Sequence, residues 1–280
     1  MERCVSTELD KVLGKSFDVL DKGFIRVIDY MGDDSSVVQA ARVSYGKGTK
    51  KMLEDRALIR YLMRNRHTTP FEMCEIKFHV KLPIFIARQW MRHRTGSFNE
   101  YSARYSILDS DMYTPEDSVP CLQSSHNKQG RDITDTSTLG VQMKDSAKEN
   151  SERAYKLYEE LLEKGVAREI ARIVLPLNCY TQFYWKVNLN NLMHFIKLRI
   201  DKHAQYEIRQ YAERLHHILQ IWVPTSFEAF NDYLLNGVYL SEKVMVILKR
   251  KINGEDLKYE DSGLSKQEWS TIESLFIRAE

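Results

Sequence analysis

From Glu75 to Leu82 the chain reads EIKFHVKL, with apolar Ile76, Phe78, Val80 and Leu82 alternating with polar Glu75, Lys77, His79 and Lys81. A period of two predicts a strand in a sheet with one covered face. GFIRVIDY, Gly23 to Tyr30, predicts an earlier strand, and DDSSVVQAARVSY after it predicts a helix with Asp34 or Ser35 as N-cap. Pro83 opens IFIARQWMRHR, a predicted helix that carries proline in its tolerant first turn. ERAYKLYEELLEKG repeats apolar residues at helical spacing and stops at Gly165, and AREIARIVLPLN predicts a shorter helix halted by Pro176. From about Asn190 to Trp222 there is neither proline nor glycine, and Leu192, Phe195, Ile196, Leu198 and Ile200 predict one long, largely buried helix.

Between these patterned segments, residues 106–150 are rich in Ser, Asp, Thr, Gly and Gln without an apolar period, which predicts a long polar loop, mobile or covering a ligand. The expected organisation is a single catalytic domain over residues 1–236 with this loop inside it, followed by an appended C-terminal tail, 237–280, of mixed charge and amphipathic pieces. A length of 280 residues suffices for a substantial core.

Charge narrows the function classes. Lys+Arg 41 against Asp+Glu 39 leaves a net charge of +2, too little for a global field that grips nucleic acid or an anionic membrane, so anion binding must be local. Cys4, Cys74, Cys121 and Cys179 form no CxxC pair, which favours reduced thiols in a cytosol over a zinc ribbon or disulfide scaffold. The start, MERCVSTELD, carries charges where a signal peptide needs an apolar core, and the longest charge-free apolar-leaning run, Ile173 to Trp185, is too short to span a bilayer. A soluble protein is expected.

The densest candidate chemistry is RHRTGSFNEYSARY, Arg92 to Tyr105. Arg92, Arg94 and Arg104 offer planar forks of donors that match phosphate oxygens. A surface loop of solvated charges is one reading; a site for two phosphate-bearing ligands, a nucleotide substrate and a nucleotide cofactor, is the other. In the preceding helix Gln89, Arg92 and His93 are spaced to share a face. Arg199 and His203 are four apart on the predicted long helix, and Arg172 sits among apolar neighbours, so each arginine is either in a salt bridge or facing a ligand. No GxGxxG follows a strand, no GxxxxGK occurs, and His67, His79 and His93 lack HExxH or similar metal-ligand spacing.

The pattern RHRxxSxNExSxRY, filled by Arg92, His93, Arg94, Ser97, Asn99, Glu100, Ser102, Arg104 and Tyr105, resembles the signature of the flavin-dependent thymidylate synthases. Flanking stretches at His67 (HTTPFE), Phe78 (FHVKLPIFIARQW), Ala171 (ARIVLPLN) and Leu198 (LRIDKHAQYEI) are similar to family sequences, so the resemblance covers roughly residues 17–232. It implies an α+β fold: an antiparallel sheet with packed helices, one of them long, assembling as a homotetramer with active sites at subunit contacts. It implies conversion of dUMP to dTMP, with methylenetetrahydrofolate giving the carbon, reduced FAD the hydride, and NADPH recharging the flavin. The flavin would carry the redox chemistry and the protein the positioning.

Residue by residue, the resemblance implies that dUMP is held by Gln89, Arg92, Glu100, Ser102, Arg104, Arg172 and Arg199. Arg199, placed against the uracil edge, is implied as the catalytic residue that activates the ring. FAD contacts are implied for His67, Thr69, Arg92, His93, Arg94 and Glu100, and for Asn188, Asn190, His194 and His203 on and before the predicted long helix. At the position of His194 relatives often carry an amide. No metal is implied, and none of the four cysteines lies in a matched motif, in line with a mechanism without a cysteine nucleophile. The contrasting reading, a nucleotide- or RNA-binding module built on Arg92 to Arg104, leaves Arg172, Arg199 and His203 without a task.

Overall fold

The computed structural model describes residues 4–43, 54–116, 122–125, 130–131 and 138–276. Cys121 and parts of the 106–150 stretch lie outside these residues. The chain divides into two compact units, Met1–Leu235 and Asn236–Glu280.

In the first unit, strands β1 (Ser16–Val19), β2 (Gly23–Met31), β3 (Glu75–Pro83), β4 (Ser97–Glu100) and β5 (Tyr180–Asn188) form one antiparallel sheet in the order β1-β2-β3-β5-β4. The alternation in β3 is realised as expected: Ile76, Phe78, Val80 and Leu82 are buried. Opposite them on β5 stand Val187, Trp185 and Phe183, so both strands cover the same core. The other face is half-wet and polar, with Lys186 reaching Glu75 at 3.1 Å and His79 Nε2 within 2.9 Å of Gln182 Oε1. Each apolar side chain on the covered face contributes about 1.5–3 kcal/mol by leaving water.

The helices of this unit are α1 (Thr7–Asp10), α2 (Asp34–Arg42), α3 (Asp55–Arg64), α4 (Thr69–Glu72), α5 (Ile84–Trp90), α6 (Thr138–Glu163), α7 (Arg168–Ala171), α8 (Leu189–Arg199), α9 (Tyr206–Trp222) and α10 (Pro224–Phe230). Helix α2 starts one residue earlier than expected. Its N-cap is Asp33, whose side chain accepts from Ser36 N at 3.1 Å, with the Ser36 hydroxyl returning the contact to Asp33 N. Pro83 is the N-cap of α5 and the last residue of β3, not a first-turn residue, and α5 ends at Trp90, so Arg92 and His93 follow the helix instead of sharing its face.

The expected long helix over 190–222 is two helices. Between them Asp201 Oδ1 accepts from both the backbone N–H and the ring Nδ1 of His203, at 2.8 and 2.9 Å. A short acidic side chain that satisfies a backbone donor locally competes with the helix ladder, and the chain turns without glycine or proline. His203 therefore does not share a face with Arg199.

A long helix exists elsewhere. Helix α6 begins inside the stretch expected as loop, because Lys144, Ala147, Ser151, Tyr155 and Tyr158 turn inward at helical spacing. That stripe mixes polar and apolar residues: Ser151 Oγ donates to Ala147 O at 2.7 Å and accepts from Asn178 Nδ2 at 3.0 Å. Hydrophobic periodicity is blind to a helix that buries satisfied polar groups.

Gly96 sets the entry to β4. A Cβ there would lie 2.5 Å from Trp185 Nε1 and 2.9 Å from Lys186 O, too close for a side chain. Gly96→Ala is expected to lower the stability of the sheet edge by about 1–3 kcal/mol, read as a lower urea midpoint.

The second unit, expected as a tail, packs helices α11 (Glu242–Ile252), α12 (Tyr259–Ser262) and α13 (Lys266–Phe276) around Val244, Ile247, Leu264, Trp269 and Ile272. Lys251 Nζ lies 4.2 Å from the Trp269 ring centre.

Candidate active site

A cavity of about 860 Å³ is formed by the turn after α3, the segment after α5, and one side of α8. Asn188 caps α8, accepting from Asn191 N at 2.9 Å, and the spacing of Asn190, His194 and Lys197 then brings these side chains to the cavity. Leu62, Met63, Phe71, Met193 and Phe230 supply an apolar lining. The polar lining is one-sided. Arg66, Arg92, Arg94, Lys197 and Arg199 face the cavity, and no Asp or Glu is among its lining residues.

Arg199 is the most constrained of these cations. Its Nε donates to His93 Nε2 at 3.0 Å, and its Nη2 donates to the backbone O of Gln89 at 3.5 Å. Both partners are neutral acceptors, and among the described residues no carboxylate pairs with it. Burial lowers the Arg199 pKa from its ordinary value, the direction expected for a cation held without a counter-charge. His93 is pushed down to about 4, first by burial and then by the charges of Arg199 and His194. It is therefore neutral near pH 7, with Nε2 free to accept and the proton on Nδ1.

This neutrality has a consequence for stability. Below its unfolded value of 6.5, His93 gains a proton in the unfolded chain but resists it in the folded one. The folded state thus loses stability as pH falls from 6.5 towards about 4. Discounted for partial exposure, the loss is about 1–2 kcal/mol. His93→Asn is expected to remove this portion of the acid slope, measured as the change in urea midpoint between neutral pH and about pH 4.5.

The cavity brings together His67, Arg92, His93, Arg94, Asn190, His194 and Arg199 among the expected residues. Thr69 lines an adjoining apolar cavity that shares His67 and Thr68 with the first. The second half of the Arg92–Tyr105 motif runs away along the sheet edge. Glu100 accepts from Thr181 Oγ1 at 2.8 Å, Ser102 Oγ accepts from Arg104 N at 3.3 Å, and the Arg104 guanidinium lies over the Tyr105 ring. Arg172, expected in an apolar setting, is exposed and donates to Glu169 O at 3.4 Å.

His203 lines a separate cavity of about 660 Å³, together with Tyr113, Arg131, Gln205 and Glu207. Glu207 is buried and accepts from Tyr113 Oη at 3.0 Å, Arg131 Nη2 at 2.6 Å and Gln205 Nε2 at 2.9 Å. Gln205 Oε1 in turn accepts from Gln89 Nε2. A carboxylate only accepts, so Glu207 fixes the orientation of both amides and ties Gln89 to the second cavity.

Sequence reasoning missed Arg66, Lys197 and Asn191. They belong to no motif segment; the only signal was the helical spacing of Lys197 with His194 and Asn190. Cys74 and Cys179 are buried, which pushes their thiols up to about 12 and about 11. Among the described residues no group of His, Cys, Asp and Glu is placed to hold a metal ion.

A family model described as thymidylate synthase complementing protein matches residues 26–225, which include every cation that lines the larger cavity. The flavin-dependent thymidylate synthase of Wolbachia pipientis wMel is 54% identical over 274 residues, covering 98% of this chain and 96% of its own. The chain belongs to the flavin-dependent thymidylate synthase family. The family member of Gluconobacter oxydans (strain 621H) is 55% identical over 267 residues, 94% of this chain and 88% of that one. Among solved structures, a UMP/dUMP methylase, PolB from Streptomyces cacaoi, bound with 5-Br UMP, superposes with a TM-score of 0.70 at 37% identity, covering 78% of this chain and 97% of its own. The fold described above is thus shared with that solved structure over 78% of this chain.

Proposed function

We propose that this protein catalyses the reductive methylation of dUMP to dTMP, with methylenetetrahydrofolate as carbon donor and NADPH as the reductant of a bound FAD. The observation that carries this reading is the cavity lined by Arg66, Arg92, Arg94, Lys197 and Arg199 without any acid, over an apolar surface. A planar apolar ring joined to phosphates is the ligand chemistry that such a lining fits. FAD, when bound, supplies the hydride.

The roles of the chain's own residues follow from their placement. Arg92, Arg94, His67, Asn190 and His194 donate to the cofactor's polar groups, and the apolar residues keep water from its ring. Arg199, held by His93 and the Gln89 carbonyl, donates to the uracil edge and stabilises negative charge that develops on the base as C5 becomes nucleophilic. Protonated thiols at Cys74 and Cys179 are poor nucleophiles, which suits a route through the base alone.

Glu100, Ser102, Arg104, Arg172 and His203 are, with Gln89, Thr69 and Asn188, the remaining expected ligand contacts. Exposed Tyr105, Ile107, Ile170, Ile173 and Leu177 surround this surface, and an apolar surface next to unused arginines fits a subunit contact. Assembly as a homotetramer, with one copy's Arg104 and Arg172 completing a neighbour's site, accounts for both features. No helix of the described residues is long and apolar enough to cross a membrane, and the net charge of +2 gives no field for nucleic acid. A cytoplasmic enzyme is the setting that the free thiols favour.

The test is the visible spectrum of the purified protein after incubation with FAD and desalting, before and after anaerobic NADPH with dUMP present. A retained flavin band that bleaches is expected. An absent band and no response to NADPH would overturn the reading in favour of another ligand.

A further inference from the structure

Among the described residues, three helices end in one and the same backbone arrangement. In it the residue after the cap is left-handed and two N–H groups close back on the last turn. After α6, Gly165 N donates to Leu162 O and Val166 N to Leu161 O, with Gly165 at φ 81°. After α11, Gly254 N donates to Lys251 O and Glu255 N to Arg250 O, with Gly254 at φ 88°. After α3, Arg66 N donates to Met63 O and His67 N to Leu62 O, and the left-handed residue is Arg66, at φ 56°. A side chain in this conformation is strained where glycine is not. The chain uses glycine in two of the three places and an arginine in the third.

The third place is the one that borders the cavity. Arg66 lines it and also the adjoining apolar cavity of about 780 Å³, so its side chain stands where the two meet. Among the described residues its guanidinium has no carboxylate and no hydrogen-bond partner. A strained, unpaired cation at the junction of two ligand-sized spaces has a reason to be there if an anion passes between them.

We infer that Arg66 is a cofactor-binding residue that grips the diphosphate of the dinucleotide as the cofactor runs from the larger cavity into the smaller. This rests on the reading that FAD occupies the larger cavity. Backbone strain at Arg66 is exchanged for a charge-assisted contact, so stability and affinity must move in opposite directions when the arginine is replaced.

The experiment measures binding of FAD, riboflavin and dUMP to the wild type, Arg66→Gly and Arg66→Lys, and the thermal midpoint of each flavin-free protein. Riboflavin has the ring and no phosphate; dUMP has a phosphate and no flavin. Arg66→Gly is expected to weaken FAD about 10- to 100-fold, the worth of one charged hydrogen bond. Riboflavin and dUMP affinities stay unchanged, Arg66→Lys recovers part of the loss, and the midpoint of the flavin-free glycine variant rises by about 2 °C. Unchanged FAD affinity in Arg66→Gly would overturn the inference, as would an equal loss for riboflavin, which would place the contact on the ring. Loss of dUMP binding would assign the arginine to the substrate and overturn it too. A lower midpoint would make Arg66 a structural cap. A wild type that binds neither flavin would fail earlier, at the reading of the cavity itself.

Discussion

Arg199→Ala is expected to abolish dTMP formation, lowering the rate by a factor of about 10³ or more while the protein folds and keeps its flavin. One fixed donor aimed at developing charge contributes about 10²–10³ in rate, and a guanidinium brings several donors with a full charge. Arg199 also has no structural task that would confound the result. Its partners are a neutral imidazole nitrogen and a backbone carbonyl, and its burial lowers its pKa instead of being offset by an acid. Removing it relieves the burial of a charge, so the flavin-free variant should be at least as stable as the wild type. Arg199→Lys should recover little, because a point charge cannot hold His93 and the base with one planar fork. Single-turnover rates at saturating dUMP, with flavin content measured in parallel, check this. Normal turnover in Arg199→Ala would remove Arg199 from the chemistry.

Trp90→Ala is expected to cost about 3–5 kcal/mol of stability and to loosen the site above it. Trp90 is fully buried, tilted against Phe195 at 4.5 Å between ring centres and edge-on to Trp185 at 5.2 Å, with Phe183 and Tyr211 on its other sides. It joins α5 to β5, α8 and α9, the elements that hold His93 and Arg199 together. Among the described residues its buried Nε1 has no partner, so Trp90→Phe deletes an unsatisfied donor along with some volume and should cost far less than alanine. Urea denaturation at equal slope gives the stability, and flavin retention reports the loosening. Equal losses for alanine and phenylalanine would mean that ring packing is not what Trp90 supplies.

The parts of the fold legible in the sequence are those whose burial is apolar and periodic. β3 announces itself because every second side chain enters the core, and β2 and the end of α6 at Gly165 are nearly as plain. The start of α6 was hidden because its inward stripe includes Lys144 and Ser151, whose polar groups are satisfied in place. The break between α8 and α9 was hidden because a side chain, Asp201, ends the helix in place of glycine or proline.

The site was legible where the motif is short-range and illegible where it is three-dimensional. Arg92, His93 and Arg94 reach the cavity together, as their adjacency suggests, whereas Ser102 and Arg104 follow the turn of the strand edge and leave it. Arg199 meets His93 across more than a hundred residues, a contact that only packing of α8 against the core creates. Arg66 carried no sequence signal at all, since what distinguishes it is a backbone angle.

The most direct measurement is dTMP formation by the purified, flavin-stripped protein supplied with dUMP, methylenetetrahydrofolate and NADPH, with and without FAD. dTMP is predicted to form when all four are present and to disappear when FAD is withheld. No dTMP in the complete mixture, or an equal yield without flavin, would contradict the account.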